Sequence, residues 1–166
     1  MKKVGVILLV VVGMLAGAAV QQANAQDKKA AFSLNAGVQT NIWNGSSFDG
    51  ASFTLDGRVG IALGKSFEIS PEVMFVLDGV FEGDVNFFYP GVMLNYKAGN
   101  FFVGAGAVLP IAFGDGESDT GNIAPKVNFG YKFGKLMITV YALTWTESGF
   151  DFLDANFIGA TLGYRF

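Results

Sequence analysis

The 166-residue chain contains no cysteine and no histidine. Without cysteine there is no disulfide staple, no thiolate ligand and no acceptor for the lipid-anchored form of export. Without histidine the chain lacks the side chain most often used as a general base near neutral pH and most often used as a metal ligand. An enzyme, a cofactor and a metal are therefore not expected. Charge is also scarce: 15% of residues are charged, against about 25% in typical soluble proteins. A soluble domain so poor in charge would have trouble covering its surface, whereas a surface set in lipid has no such need. Acidic residues outnumber basic ones, fourteen to eleven, which argues against a nucleic-acid partner, since such a partner favours a net basic domain. Past residue 20 no apolar run is long enough for a membrane-spanning helix.

What the chain does have begins with an export pattern. Lys2 and Lys3 precede an apolar run from Val4 to Val20 that is broken by Gly5, Gly13 and Gly17. Ala23-Asn24-Ala25 then supplies the small-x-small cleavage site, with Gln26 as the first mature residue. Residues 1–25 are expected to be removed and residues 26–166 to form one domain. That domain has nine basic and fourteen acidic residues, a net charge of −5. It contains no Pro- or Ser-rich linker and no repeat of 20–50 residues.

Period-two alternation predicts eight strands, at 31–41, 52–63, 67–78, 85–97, 101–112, 123–133, 136–146 and 155–166. Each exceeds the usual globular strand of five or six residues and suits the ~9–11 residues that a tilted strand needs to cross a bilayer. The connections alternate in kind. Segments 42–51, 79–84, 113–122 and 147–154 are long and acidic, whereas Gly64-Lys65-Ser66, Ala98-Gly99-Asn100 and Gly134-Lys135 are tight turns in which glycine supplies a positive φ. Long loops on one side and short turns on the other are the outer-membrane barrel pattern, with the long set extracellular. An even strand count puts both termini on the short-turn side, the periplasm.

The last strand carries a second signal. Ile158, Ala160, Leu162, Tyr164 and Phe166 form one apolar set that ends on an aromatic residue. This segment resembles the terminal assembly signal of bacterial outer-membrane β-barrel proteins, with Ile158, Leu162, Tyr164 and Phe166 as the elements read by the barrel-assembly machinery. Together with the loop alternation, the whole mature chain resembles the OmpA/OmpX-like small barrels. The resemblance implies an all-β fold: an eight-stranded antiparallel up-and-down transmembrane β-barrel. It also implies a bacterial outer-membrane location among lipid and lipopolysaccharide, and a monomer.

Alternation alone does not say which face is inside. The polar sets mix acids and bases with small residues, which suits a narrow lumen. The bulky sets place Phe67, Tyr96, Phe133, Tyr164 and Phe166 at one end and Phe53, Phe88 and Trp145 at the other, like two interfacial girdles. The 136–146 strand stays open: a two-residue turn puts Leu136, Ile138, Val140 and Ala142 outward, and a three-residue turn puts Met137, Thr139, Tyr141, Leu143 and Trp145 there. In 101–112, a Gly99-Asn100 turn makes Gly104 and Gly106 luminal.

If Leu63 faces Phe67, Arg58 lies opposite Glu72 on the inward face, with Asp56 and Glu68 nearby and Lys126 and Lys132 on the far wall. These six residues are the expected luminal charge network. Opposite charges at a cross-strand pair attract, and eight strands leave room for little beyond side chains, so the network is expected to plug the lumen. A gate or narrow ion path is the sharper alternative. The carboxylates in 114–121 have alternate spacing that suits Ca²⁺, but Thr120 stands where a calcium loop needs glycine, and a hydrated acidic loop is expected. Trp43, Phe48, Phe81, Phe113, Phe150 and Phe152 lie in or beside the long loops, as an upper girdle or as an adhesive mouth. The expected role is structural or surface-interactive. The alternatives are a porin-like or ligand-binding barrel, and a soluble periplasmic binding barrel.

Overall fold

Apolar and polar residues alternate along each strand because the backbone pleat sends successive side chains to opposite faces, and the sheet they form closes on itself. The computed structural model describes residues 30–43, 47–77, 86–114, 117–145 and 155–166. The elements are β1 (Ala30–Trp43), β2 (Ser47–Leu63), β3 (Phe67–Leu77), β4 (Asn86–Ala98), β5 (Phe101–Val108), β6 (Ile111–Gly114), β7 (Glu117–Thr120), β8 (Ala124–Phe133), β9 (Leu136–Trp145) and β10 (Ala155–Arg165). All pairings are antiparallel. They make eight staves, because β5 and β6 both pair with β4 and share one stave, and β7 and β8 share the next. Pairing of β1 with β10, from Ser33↔Arg165 to Ile42↔Asn156, completes the ring. The fold is an all-β, closed eight-stranded antiparallel barrel.

The short turns set the register. Gly64, Gly99 and Gly134 have φ of 84°, 62° and 64°, the left-handed region that a side chain disfavours. Leu63 faces Phe67, Ala98 faces Phe101 and Phe133 faces Leu136. The two-residue Gly134-Lys135 turn settles β9: Leu136, Ile138 and Val140 point outward, and Met137, Thr139, Tyr141 and Leu143 are buried. In β5, Phe101, Val103 and Ala105 are exposed and Gly104 is buried.

At the other end the strands run further than the alternation suggests. The segment 42–51, expected as a loop, is largely ladder: Trp43 pairs with Ser47 across a register shift between Gln39 and Asn41. Within 113–122, Gly114 pairs with Glu117. The expected single strand at 101–112 is instead interrupted at Leu109-Pro110. Proline has no N–H for the ladder, and the Pro110 carbonyl accepts from the Gly121 amide at 2.8 Å. The expected loops 79–84 and 147–154 and the cleavage motif Ala23, Ala25 and Gln26 lie outside the described residues.

The distribution of side chains is inverted relative to a water-soluble barrel. Ser33, Asn35, Asp56, Arg58, Glu72 and Lys126 are among the buried polar residues, whereas the outer wall exposes at least one large apolar side chain on every long stave. Inside, glycines sit in register beside large residues of the adjacent stave. A Cβ at Gly130 would overlap the Phe102 ring, one at Gly159 the Tyr141 ring, and one at Gly163 the Asn35 amide. An eight-stave lumen is narrow, so a bulky side chain there needs a neighbour that has none.

Candidate functional site

Reading β3 from the short-turn end upward, its inward residues are Glu68, Ser70, Glu72, Met74 and Val76. They mark three layers of the lumen. The middle layer is a four-charge cluster. Arg58 lies opposite Glu72 in the β2–β3 ladder, and its Nε is 3.3 Å from Glu72 Oε2. It also holds Asp56, two residues back on its own strand: Nε donates to Asp56 Oδ2 at 2.6 Å, and Nη2 pairs with the same oxygen. From the opposite wall, Lys126 Nζ donates to Glu72 Oε1 at 2.6 Å. The Lys126 ammonium also lies 4.7 Å from the centre of the Tyr141 ring. Asn35 Nδ2 reaches the Asp56 carbonyl at 3.3 Å. Two acids and two bases are thus buried together. Removing ions from water is costly, and only mutual attraction with good geometry offsets that cost.

The lower layer surrounds Glu68. Arg165 Nη2 donates to Glu68 Oε2 at 3.1 Å, and Lys97 Nζ is 3.5 Å from the same oxygen. Lys132, expected to join the network, makes no ion pair within 4 Å among the described residues; its Nζ lies 5.1 Å from the centre of the Phe102 ring instead. Arg165 and Lys97 were absent from the expected network. Both stand at inward positions, Arg165 between outward Tyr164 and Phe166 and Lys97 next to outward Tyr96, so parity alone could have found them. Arg58, Glu68, Ser70, Asn95, Lys132 and Arg165 border a cavity of about 20 Å³, room for a water molecule.

The upper layer is apolar. Met74, Val76, Tyr89, Val108, Ala124, Tyr141 and Leu143 form one buried cluster, with Phe87 and Phe157 against it. The sequence places Met74 and Val76 in the polar set of their strand. Near the long-loop end, however, the inward face becomes a hydrophobic layer, and Tyr141 hydroxyl donates to Gln39 Oε1 at 3.1 Å.

The lower aromatic residues form a contacting belt on the outer wall: Phe67 meets Tyr96 at 5.4 Å, Phe101 meets Tyr131 at 4.6 Å, and Tyr164 meets Phe166 at 5.0 Å. In the terminal set, Ile158, Leu162, Tyr164 and Phe166 all face outward and are exposed. Phe88 departs from the expected upper girdle. It is only 6% exposed and packs on Phe75, with ring centres 4.8 Å apart. The side chains of Trp43, Phe48, Phe81, Trp145, Phe150 and Phe152 lie outside the described set. No group of three or more acidic residues suited to a metal occurs among the described residues.

No family model matches the chain, and no curated protein matches it in sequence. Among solved structures it is similar to Neisserial surface protein A (NspA), with a TM-score of 0.65 at 12% identity, covering 83% of this chain and 96% of that one. It is also similar to a de novo designed transmembrane β-barrel, with a TM-score of 0.54 at 12% identity, covering 86% of this chain and all of the other. At such identity the likeness is one of fold: the architecture is that of the small outer-membrane barrels.

Proposed function

We propose that the protein is an integral outer-membrane β-barrel whose role is structural or surface-interactive, with a lumen plugged by side chains and acidic loops displayed at the cell surface. The observation that carries this reading is the inversion of the barrel: charges buried inside, aliphatic and aromatic side chains exposed outside. Large apolar side chains exposed on every long stave would make a soluble barrel aggregate, whereas bilayer lipid suits them. The alternation of short turns with long acidic segments supports placing both termini in the periplasm. The exposed Phe166 and Tyr164 support recognition by the assembly machinery, after removal of a signal ending at Ala25. Lipid and lipopolysaccharide are the surroundings this reading implies, and its mode is monomeric.

The four-charge cluster beneath an apolar layer favours a closed lumen over the porin-like alternative. With no histidine, and with Glu68 and Glu72 committed to cations, no catalytic step is part of this reading. In detergent, the unboiled protein should migrate differently on a gel from the boiled sample, and carbonate should not extract it from membranes. Planar bilayers containing it should show no stepwise conductance. Carbonate release would overturn the membrane assignment, and regular conductance steps would overturn the plug.

The terminal set has its own test. Deleting Phe166, which is 57% exposed and touches Phe32 and Tyr164 by ring contacts, should lower the amount of protein in the outer membrane and leave degraded or unassembled material in the periplasm. Normal insertion at the normal rate would assign Phe166 to packing alone.

A further inference from the structure

The sequence segregates charge between the two kinds of connection. The segments 42–51, 78–85, 113–122 and 146–154 contain ten acidic residues and no lysine or arginine. At the short-turn end, Lys65 and Lys135 occupy two of the three turns, and Lys97, Lys132 and Arg165 lie at the adjoining strand ends. Among the described residues Glu68 is the one acidic side chain there, and it is shared by Arg165 at 3.1 Å and Lys97 at 3.5 Å. The basic end therefore has a surplus of positive charge that its own acid does not neutralise.

That surplus borders the aromatic belt. Phe67, Tyr96, Phe101, Phe133, Tyr164 and Phe166 are exposed on the outer wall just inside the turns. Lys65 and Lys135 are exposed in the turns themselves. Lys135 folds back over this wall, its Nζ 5.6 Å from the centre of the Tyr164 ring. Aromatic rings of this kind settle at headgroup depth, so the ammonium groups beside them are at the level of lipid phosphates.

We propose that the short-turn rim is a collar for anionic glycerophospholipid headgroups. In this collar the turn lysines Lys65 and Lys135 contact the headgroup phosphates, while the neighbouring rings lie against glycerol and the first methylenes. A basic side chain near an anionic leaflet contributes roughly a fivefold gain in association. The proposal rests on the membrane reading above.

Electron spin resonance on the full barrel, reconstituted in phosphatidylcholine vesicles, tests it. Spin-labelled phosphatidylglycerol and phosphatidylcholine are added in trace amounts, and the fraction of each that is immobilised at the protein is measured. The wild type should immobilise phosphatidylglycerol about fivefold better than phosphatidylcholine at low salt. The preference should fall toward one in 0.5 M salt and in the Lys65→Gln, Lys135→Gln double variant. Both positions are exposed turn residues outside the luminal cluster, and the salt arm needs no variant. An immobilised fraction without headgroup preference, or a preference that survives both treatments, overturns the collar and leaves the membrane reading standing. No immobilised component for either lipid overturns the membrane reading and the collar with it.

Discussion

Replacing Lys126 with methionine should destabilise the barrel by about 3 kcal/mol, the lower end of the range for breaking a buried ion pair. Lys126 is 1% exposed and donates to Glu72 at 2.6 Å. Without it, Glu72 keeps its desolvation cost and retains only the longer 3.3 Å contact with Arg58, which is why the loss should not reach the upper end. Methionine keeps an unbranched stem one atom shorter and gives up the ammonium's contact with the Tyr141 ring, so the change removes the charge while leaving most of the packing in place. Glu72→Gln in the Lys126→Met background should recover a large part of the loss. A double-mutant cycle read by urea unfolding from lipid vesicles isolates the coupling. A coupling energy near zero would mean that the two groups are independently hydrated and that the lumen is open to water at this depth. Pairing Arg58→Ala with Glu72→Ala should give a weaker rescue than a lone pair would, because Asp56 and Lys126 then both lose a partner.

Val140→Arg is the second substitution with a large expected effect. Val140 is 46% exposed at the middle of β9, facing outward between Phe129 and Ala160 in the ladder. Arginine at the midplane of a bilayer-embedded wall costs about 2–4 kcal/mol, and near the interface about 0–1 kcal/mol. Phe133→Arg, at the turn end of β8, is the matched control and should cost much less electrostatically. On a soluble barrel, an arginine in place of an exposed valine would be neutral or favourable. Unfolding midpoints in lipid vesicles for the two variants therefore separate the environments: equal midpoints at both depths would be incompatible with a wall immersed in hydrocarbon.

The closed barrel was legible because its cause is local. Alternation, strand length and the glycine turns lie within a few residues of one another in sequence, and turn length carries register directly. Leu63 facing Phe67 puts Arg58 opposite Glu72, and the Gly134-Lys135 turn decides the face of β9. Contacts across the lumen are different in kind. That Glu72 is shared between Arg58 and Lys126 depends on how far the sheet shears before it closes, which no single hairpin encodes. Lys97 and Arg165 are legible by parity alone, since both stand at inward positions beside outward aromatic residues, but a strand's outward apolar set says nothing of which inward charges meet across the lumen. Met74 and Val76 show the limit of a two-letter pattern. They share the face of Glu68 and Glu72, yet the lumen turns apolar at their height because Tyr89, Val108, Tyr141 and Leu143 converge there from other staves.

The glycines that give room to large luminal neighbours have a consequence for how such a barrel can change over generations. Phe102 and Gly130 belong to different short-turn hairpins, Tyr141 belongs to the β8–β9 hairpin whereas Gly159 lies on the terminal strand outside it, and Asn35 and Gly163 meet only where the first and last staves join. A mutation that enlarges one member becomes tolerable only after the other has shrunk. Hairpins are therefore not interchangeable modules. Grafting one from a relative, or duplicating one to widen the barrel, brings a bulky side chain against a stave that has not made room for it. Descent along such a lineage proceeds by paired steps across the seams, and the seams, more than the turns, record which staves have been neighbours throughout.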